Sequence, residues 1–121
     1  MPSLAFAQTP VLNPTTVTFT APADHTTNVA SYVVEVNRVT GTPLGIAASA
    51  DIGKPTPVGT DITSSVLTTL LPTLPSCASA ADGCYTVTIL AKNGFGSTRS
   101  PASVPFTKGG PPAAPGIPVP K

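Results

Sequence analysis

Between Cys84 and Phe106 the chain reads CYTVTILAKNGFGSTRSPASVPF, and no other stretch restricts the possible folds so much. Tyr85, Val87, Ile89 and Ala91 alternate with Thr86, Thr88, Leu90 and Lys92. Successive strand side chains point to opposite faces, so this period of two marks a strand with one face in a core. Asn93-Gly94-Phe95-Gly96 then breaks the pattern with residues that tolerate positive φ, as a tight turn requires. A second run, Ser103 to Thr107, is expected to return with Val104 and Phe106 on one face. The predicted unit is a β-hairpin.

The remaining sequence is compatible with more of the same. Charged residues make up 9% of the 121 positions and the formal net charge is +1, which argues against a nucleic-acid-binding surface or an acidic disordered tail. Sixteen prolines and ten glycines disfavour long helices and suit short strands joined by rigid turns. One domain of this length buries roughly 60–70% of its unfolded surface. No apolar run is long enough to span a membrane.

Taken in order, residues 1–13 form an N-terminal arm that leads into an edge strand near Pro10 to Leu12. Ala5-Phe6-Ala7 before Gln8 resembles the small-residue cleavage site of a signal peptide, but the basic region and the full apolar stretch are missing. Two origins stay open: a start inside a longer precursor, or a true start at Met1. Thr15 to Ala21 is a strand with Val17 and Phe19 facing in. Pro22 to Asn28 reads as a loop. Ala30 to Val39 is the next strand, with Tyr32, Val34 and Val36 on one face and Ser31, Glu35 and Asn37 on the other. A short edge strand is expected over Ile46 to Ile52. Asp61 to Leu71 reads as a further strand, although Leu67 and Leu71 blur its phase. The last eleven residues contain five prolines, so residues 109–121 are expected to form a polyproline II arm around Pro111, Pro112, Pro115, Ile117 and Val119.

Over about residues 10–108 the chain resembles a fibronectin type III domain. The resemblance is carried by Tyr85-x-Val87-x-Ile89-x-Ala91-x-Asn93 with Gly96 and Ser100-Pro101, which look like the family's sixth strand and its turn into the seventh. Val17-x-Phe19-x-Ala21-Pro22 looks like its second strand, Ser31-Tyr32-x-Val34-x-Val36 like its third, and Leu70-x-Pro72 is similar to its Leu-x-Pro. The resemblance implies a seven-stranded antiparallel Greek-key β-sandwich over residues 14–108, with extended arms at both ends. It also implies a tyrosine corner at Tyr85, whose hydroxyl bonds nearby backbone. Phe19 stands where the family usually has tryptophan, and the loop from Pro72 to Tyr85 is longer than usual. These departures suggest a divergent microbial or viral member. The expected core is Val17, Phe19, Tyr32, Val34, Val36, Val87, Ile89 and Phe106.

Little in the sequence suggests catalysis, and neither a metal nor another cofactor is expected. Cys77 and Cys84 enclose six residues. Metal binding would need further ligands, and the only histidine, His25, lies in another loop. A redox pair would want closer spacing, so a structural disulfide is the simplest account, contributing about 2.5 kcal/mol by loop entropy. Asp24-His25 lacks an evident nucleophile partner, and no G-x-S-x-G elbow occurs. Phe95, flanked by glycines, has two open readings: an exposed anchor for a partner, or a ring folded over the end of the sandwich.

The expected role is therefore that of a non-catalytic structural or decoration module in a larger assembly, a virion component first of all. Its partners would be protein subunits, with a glycan as a further candidate and neither nucleic acid nor membrane insertion. The alternatives are a secreted or surface-anchored bacterial adhesion or spacer module, and a carbohydrate-binding accessory of an extracellular enzyme. The expected location is the virion surface or the extracellular space.

Overall fold

A computed structural model describes residues 13–40, 43–77, 83–109 and 116–120. Six strands alternate with short helical turns: β1 (Val17–Thr20), α1 (His25–Asn28), β2 (Ser31–Arg38), β3 (Gly45–Gly53), β4 (Asp61–Ser64), α2 (Leu67–Leu70), a 3-10 turn (Leu71–Thr73), β5 (Tyr85–Asn93) and β6 (Gly96–Arg99). They form two antiparallel sheets, β1-β4 and β3-β2-β5-β6. The strand expected near Pro10 to Leu12 lies outside the described residues.

The two sheets share one core. Tyr32, Val34 and Val36 of β2 and Tyr85, Val87 and Ile89 of β5 are buried, and Ile62 of β4 is buried opposite Phe19 of β1. Val17 and Phe19 are only partly buried. The Phe19 ring meets Tyr32 edge-on, with centroids 5.2 Å apart, a geometry that puts a ring edge against the electron-rich face of its neighbour.

Three expectations about regular structure are corrected. The strand from Asp61 stops at Ser64, because Leu67, Leu70, Leu71 and Leu74 recur at helical spacing and all four are buried. The Ser64 hydroxyl accepts the Val66 N–H and the Thr68 hydroxyl donates to the Ser65 carbonyl, which turns the backbone into α2. A run of leucines with period 3.6 thus overrides one with period two. The loop expected over Pro22 to Asn28 likewise contains the single turn α1.

The third correction concerns the return arm of the hairpin. β5 pairs with Gly96–Arg99, the register closing at Asn93↔Gly96. Ser103 to Thr107 is not a continuous strand: Phe106 and Thr107 are isolated bridge residues, Phe106 pairing with Tyr85, and Val104 is 72% exposed whereas Phe106 is buried. Pro101 and Pro105 cannot donate to a ladder. Serine hydroxyls take the place of ladder carbonyls: Ile89 N–H donates to Ser100 Oγ and Val87 N–H to Ser103 Oγ, each at 2.9 Å. The amides of β5 remain satisfied while its partner bulges away.

The edge strand expected over Ile46 to Ile52 is present as β3, one residue longer at each end. Its Ala48, Ala50 and Ile52 pack against the core.

Candidate functional site

The β5-β6 hairpin forms one end of the body. Asn93 accepts the Phe95 N–H through its side-chain oxygen at 2.8 Å, an Asx turn that fixes the tip. The Asn93 amide nitrogen also donates to the Asn28 carbonyl and side-chain oxygens at 2.8 and 3.0 Å. Asn28 in turn donates to Asp24 Oδ2 at 2.9 Å. The hairpin tip is therefore tied to α1. Phe95 projects from it fully exposed, so the ring is not folded over the end of the sheets.

Beside the tip lies an open cleft of about 840 Å3. Its lining includes Phe19, Tyr32, Ile89 and Ala91, with Pro22 and Val29 toward α1 and Ser97 to Pro101 toward β6. Thr98 is paired with Ala91, and so faces the core side of the sheet, yet it is exposed. Nothing among the described residues of the narrower β1-β4 sheet covers it.

His25 is buried at the base of α1, with Nδ1 2.5 Å from the Tyr32 hydroxyl and the two rings stacked. Burial, helped by the negative charge of Asp24, pushes the Tyr32 phenol above its ordinary pKa. The phenol therefore stays protonated, and the imidazole tautomer sets which of the two groups donates. His25 is spent on holding α1 to β2 and is not paired with a serine.

Glu35 was expected on a polar outer face, and it is nearly buried there. Arg99 of β6 grips it with two bonds, Nε to Oε1 at 2.6 Å and Nη2 to Oε2 at 3.0 Å. Thr88 donates to Oε1 at 2.8 Å, and Asn37 donates to Thr88 at 3.0 Å. The Arg99 hydrogen bonds hold the Glu35 pKa below its usual value against the opposing effect of burial. A charge amid Val33, Val34 and Val36 hints that a partner is needed, but 64 residues separate it from Arg99 and one sequence does not name the partner.

The opposite end gathers the cysteines together with Asn13 and Gly109. Cys77 and Cys84 form a disulfide with Cα atoms 6.2 Å apart. The Tyr85 ring is fully buried and its hydroxyl donates to the Pro75 carbonyl at 2.7 Å, ten residues upstream. Asn13 N–H donates to the Thr107 carbonyl, and Gly109 N–H to Asn13 Oδ1. Asn13 and Gly109 therefore lie side by side, about 30 Å from Phe95 along the nine residues of β5. Ile117 and Val119 are 93% and 75% exposed; Pro111, Pro112 and Pro115 lie outside the described residues.

Among the described residues no three His, Cys, Asp or Glu side chains converge on a metal position, and no helix is long and apolar enough to cross a membrane. What the fold defines is a mostly β protein of two antiparallel sheets carrying a disulfide. No family model, curated protein or solved structure matches the chain.

Proposed function

We propose that the chain is a fibronectin type III-like sandwich serving as a non-catalytic contact module, which packs against neighbouring protein subunits, copies of itself foremost. The observation that carries this is Phe95: a fully exposed aromatic ring on a tip immobilised by Asn93 and Asn28. An exposed ring without internal partners gains by desolvation on a neighbour, and a fixed tip loses little entropy on docking. The strand order β3-β2-β5-β6 opposite β1-β4 is compatible with the family's topology. The disulfide favours an oxidising setting such as an extracellular space or a virion surface.

Other surface features fit the same role. Leu44, Ile46, Val58, Val104, Ile117 and Val119 are also exposed, on a chain with only 9% charged residues. Such a surface suits close packing better than free existence at high concentration.

Sedimentation velocity of the full chain from micromolar to millimolar concentration tests the proposal. The wild type should associate with rising concentration and Phe95→Ser should remain monomeric. A wild type that stays monomeric throughout, or a variant that associates equally, would sink self-packing through this tip.

A further inference from the structure

An asparagine followed by glycine is open to attack by the next residue's own backbone nitrogen, because glycine carries no Cβ to obstruct ring closure. Of the four asparagines in the chain, Asn13 precedes Pro14, Asn28 precedes Val29 and Asn37 precedes Arg38; Asn93 alone precedes a glycine. Proline has no N–H to give up. Val29 is branched at Cβ and buried, and Arg38 is paired within β2. Gly94, by contrast, is exposed at the hairpin tip, and nothing lies within 4 Å of where a Cβ would stand on it. Water and base therefore reach its amide.

Two partners hold the Asn93 side chain back from that reaction. Its oxygen accepts the Phe95 N–H at 2.8 Å, and its nitrogen donates to the Asn28 carbonyl and side-chain oxygens at 2.8 and 3.0 Å. The side chain has to rotate to bring Cγ onto the Gly94 nitrogen, which breaks the bonds to Asn28. Those same bonds hold the nitrogen that would have to leave. Cyclisation therefore waits for the tip to open from α1, and Asn28 sets how often it does.

We propose that Asn93 is a self-modifying site, and that its hydrolytic conversion to aspartate or isoaspartate is a one-way release of the hairpin tip paced by Asn28. The deprotonated Gly94 nitrogen attacks Asn93 Cγ. The new N–C bond closes a succinimide ring, the Cγ–Nδ2 bond breaks, and Nδ2 takes up a proton and leaves as ammonia. Water then opens the ring, at one carbonyl to an aspartate and at the other to an isoaspartate whose backbone runs through the former side chain. The net change is water consumed and ammonia released, with no oxidant or reductant.

Neither product remakes the latch. A carboxylate only accepts hydrogen bonds, and it would face the two Asn28 oxygens that the amide had served. Asn28 can turn its own nitrogen toward the new carboxylate only by letting go of Asp24 Oδ2, and the new charge stands near the Asp24 carboxylate. The isoaspartate also adds a backbone atom to a turn whose register closes at Asn93↔Gly96. An effect on assembly rests on the contact-module reading of Phe95; the conversion itself does not.

Peptide mapping by mass spectrometry of the full chain, aged in mildly alkaline buffer, tests the proposal. Conversion should accumulate at Asn93 and not at Asn13, Asn28 or Asn37. It should run about fivefold or more faster in Asn28→Ala, which removes one hydrogen bond to Asn93 and the anchor to Asp24. Gly94→Ala, for which the tip has room, should slow it, and wild type unfolded in urea should convert faster than folded wild type. In Asn93→Asp, hydrogen exchange should quicken over residues 93–99 while β2 keeps its protection. Three results would each overturn the proposal: equal rates in Asn28→Ala and wild type, a folded wild type whose Asn93 stays intact after the variant has converted fully, or unchanged hairpin protection in Asn93→Asp. The rates are read on dilute, monomeric chain, so a failure of Phe95 to mediate association leaves them unchanged.

Discussion

The Glu35 carboxylate and the Arg99 guanidinium meet through two hydrogen bonds on the outward face of the four-stranded sheet, and only the arginine reaches water. The glutamate side chain is 5% exposed and the arginine 50%. Thr88 completes the coordination of Oε1, so every described oxygen of the glutamate has a donor. The pair spans the strand β5 that separates β2 from β6, and so locks the hairpin to the centre of the sheet.

That arrangement makes stability depend on pH in a defined direction. Glu35 titrates below its ordinary value of 4.5 in the fold. Its contribution is therefore fully present above the unfolded value and disappears as the pH falls through the lower, folded one. Glu35→Gln should cost about 1–2 kcal/mol at pH 7, the low end for charge-assisted bonds because Arg99 is half exposed. The gap in Tm between variant and wild type should shrink progressively as the pH falls below 4.5. Thermal melts at several pH values check this, and a gap that widens with acid would contradict it.

The Tyr32 hydroxyl is the only described hydrogen-bond partner of His25 Nδ1, and both side chains are buried. Tyr32→Phe leaves a buried nitrogen without its partner, at a cost of about 1–3 kcal/mol. Because α1 also carries Asn28, which pins the hairpin tip, hydrogen exchange should quicken in residues 24–28 and around Asn93. Exchange altered only within β2 would show that the two ends of this link are uncoupled.

Among the described glycines, Gly83 is the position where a side chain fits worst. Its φ is +86°, and an added Cβ would stand 2.8 Å from Pro105 Cβ and 2.9 Å from Phe106 N. Gly83→Ala therefore combines backbone strain with displacement of the segment that bridges Tyr85. A loss of about 2 kcal/mol or more is expected from urea unfolding midpoints. A near-neutral result would mean that the 105–106 segment yields freely.

The sequence was most legible where a single period governs a segment. β2 and β5 were readable because Tyr32, Val34, Val36 and Val87, Ile89 keep strict alternation. Asp61 to Leu71 was misread because two periods overlap there, and the four leucines of helical spacing decide the outcome after Ser64. Ser103 to Thr107 was misread because Val104 and Phe106 alternate in letters while Pro105 removes a donor. Phe95 could be placed on a turn but not oriented: its exposure depends on the tie from Asn93 to Asn28, 65 residues away. The Glu35–Arg99 and His25–Tyr32 pairs were missed because composition and periodicity carry no information about which polar residues meet.

The disulfide binds one end of the body and should be felt there alone. Cys77 N–H donates to the Lys108 carbonyl at 2.7 Å and Cys84 N–H to the Phe106 carbonyl at 2.9 Å, so both half-cystines hold the same terminal segment. The Lys108 ammonium also donates to the Leu74 carbonyl, and the Tyr85 hydroxyl to Pro75, on the approach to Cys77. Reduction frees a short loop, for which the entropic loss is about 2.5 kcal/mol. Residues 74–77 and 106–109 should then exchange faster while the Asn93 to Arg99 hairpin, about 30 Å away along β5, keeps its protection. Hydrogen exchange with and without reductant distinguishes the outcomes. If the hairpin lost protection together with residues 106–109, the two ends would unfold as one unit, and the Phe95 tip would depend on a covalent link at the other end of the body.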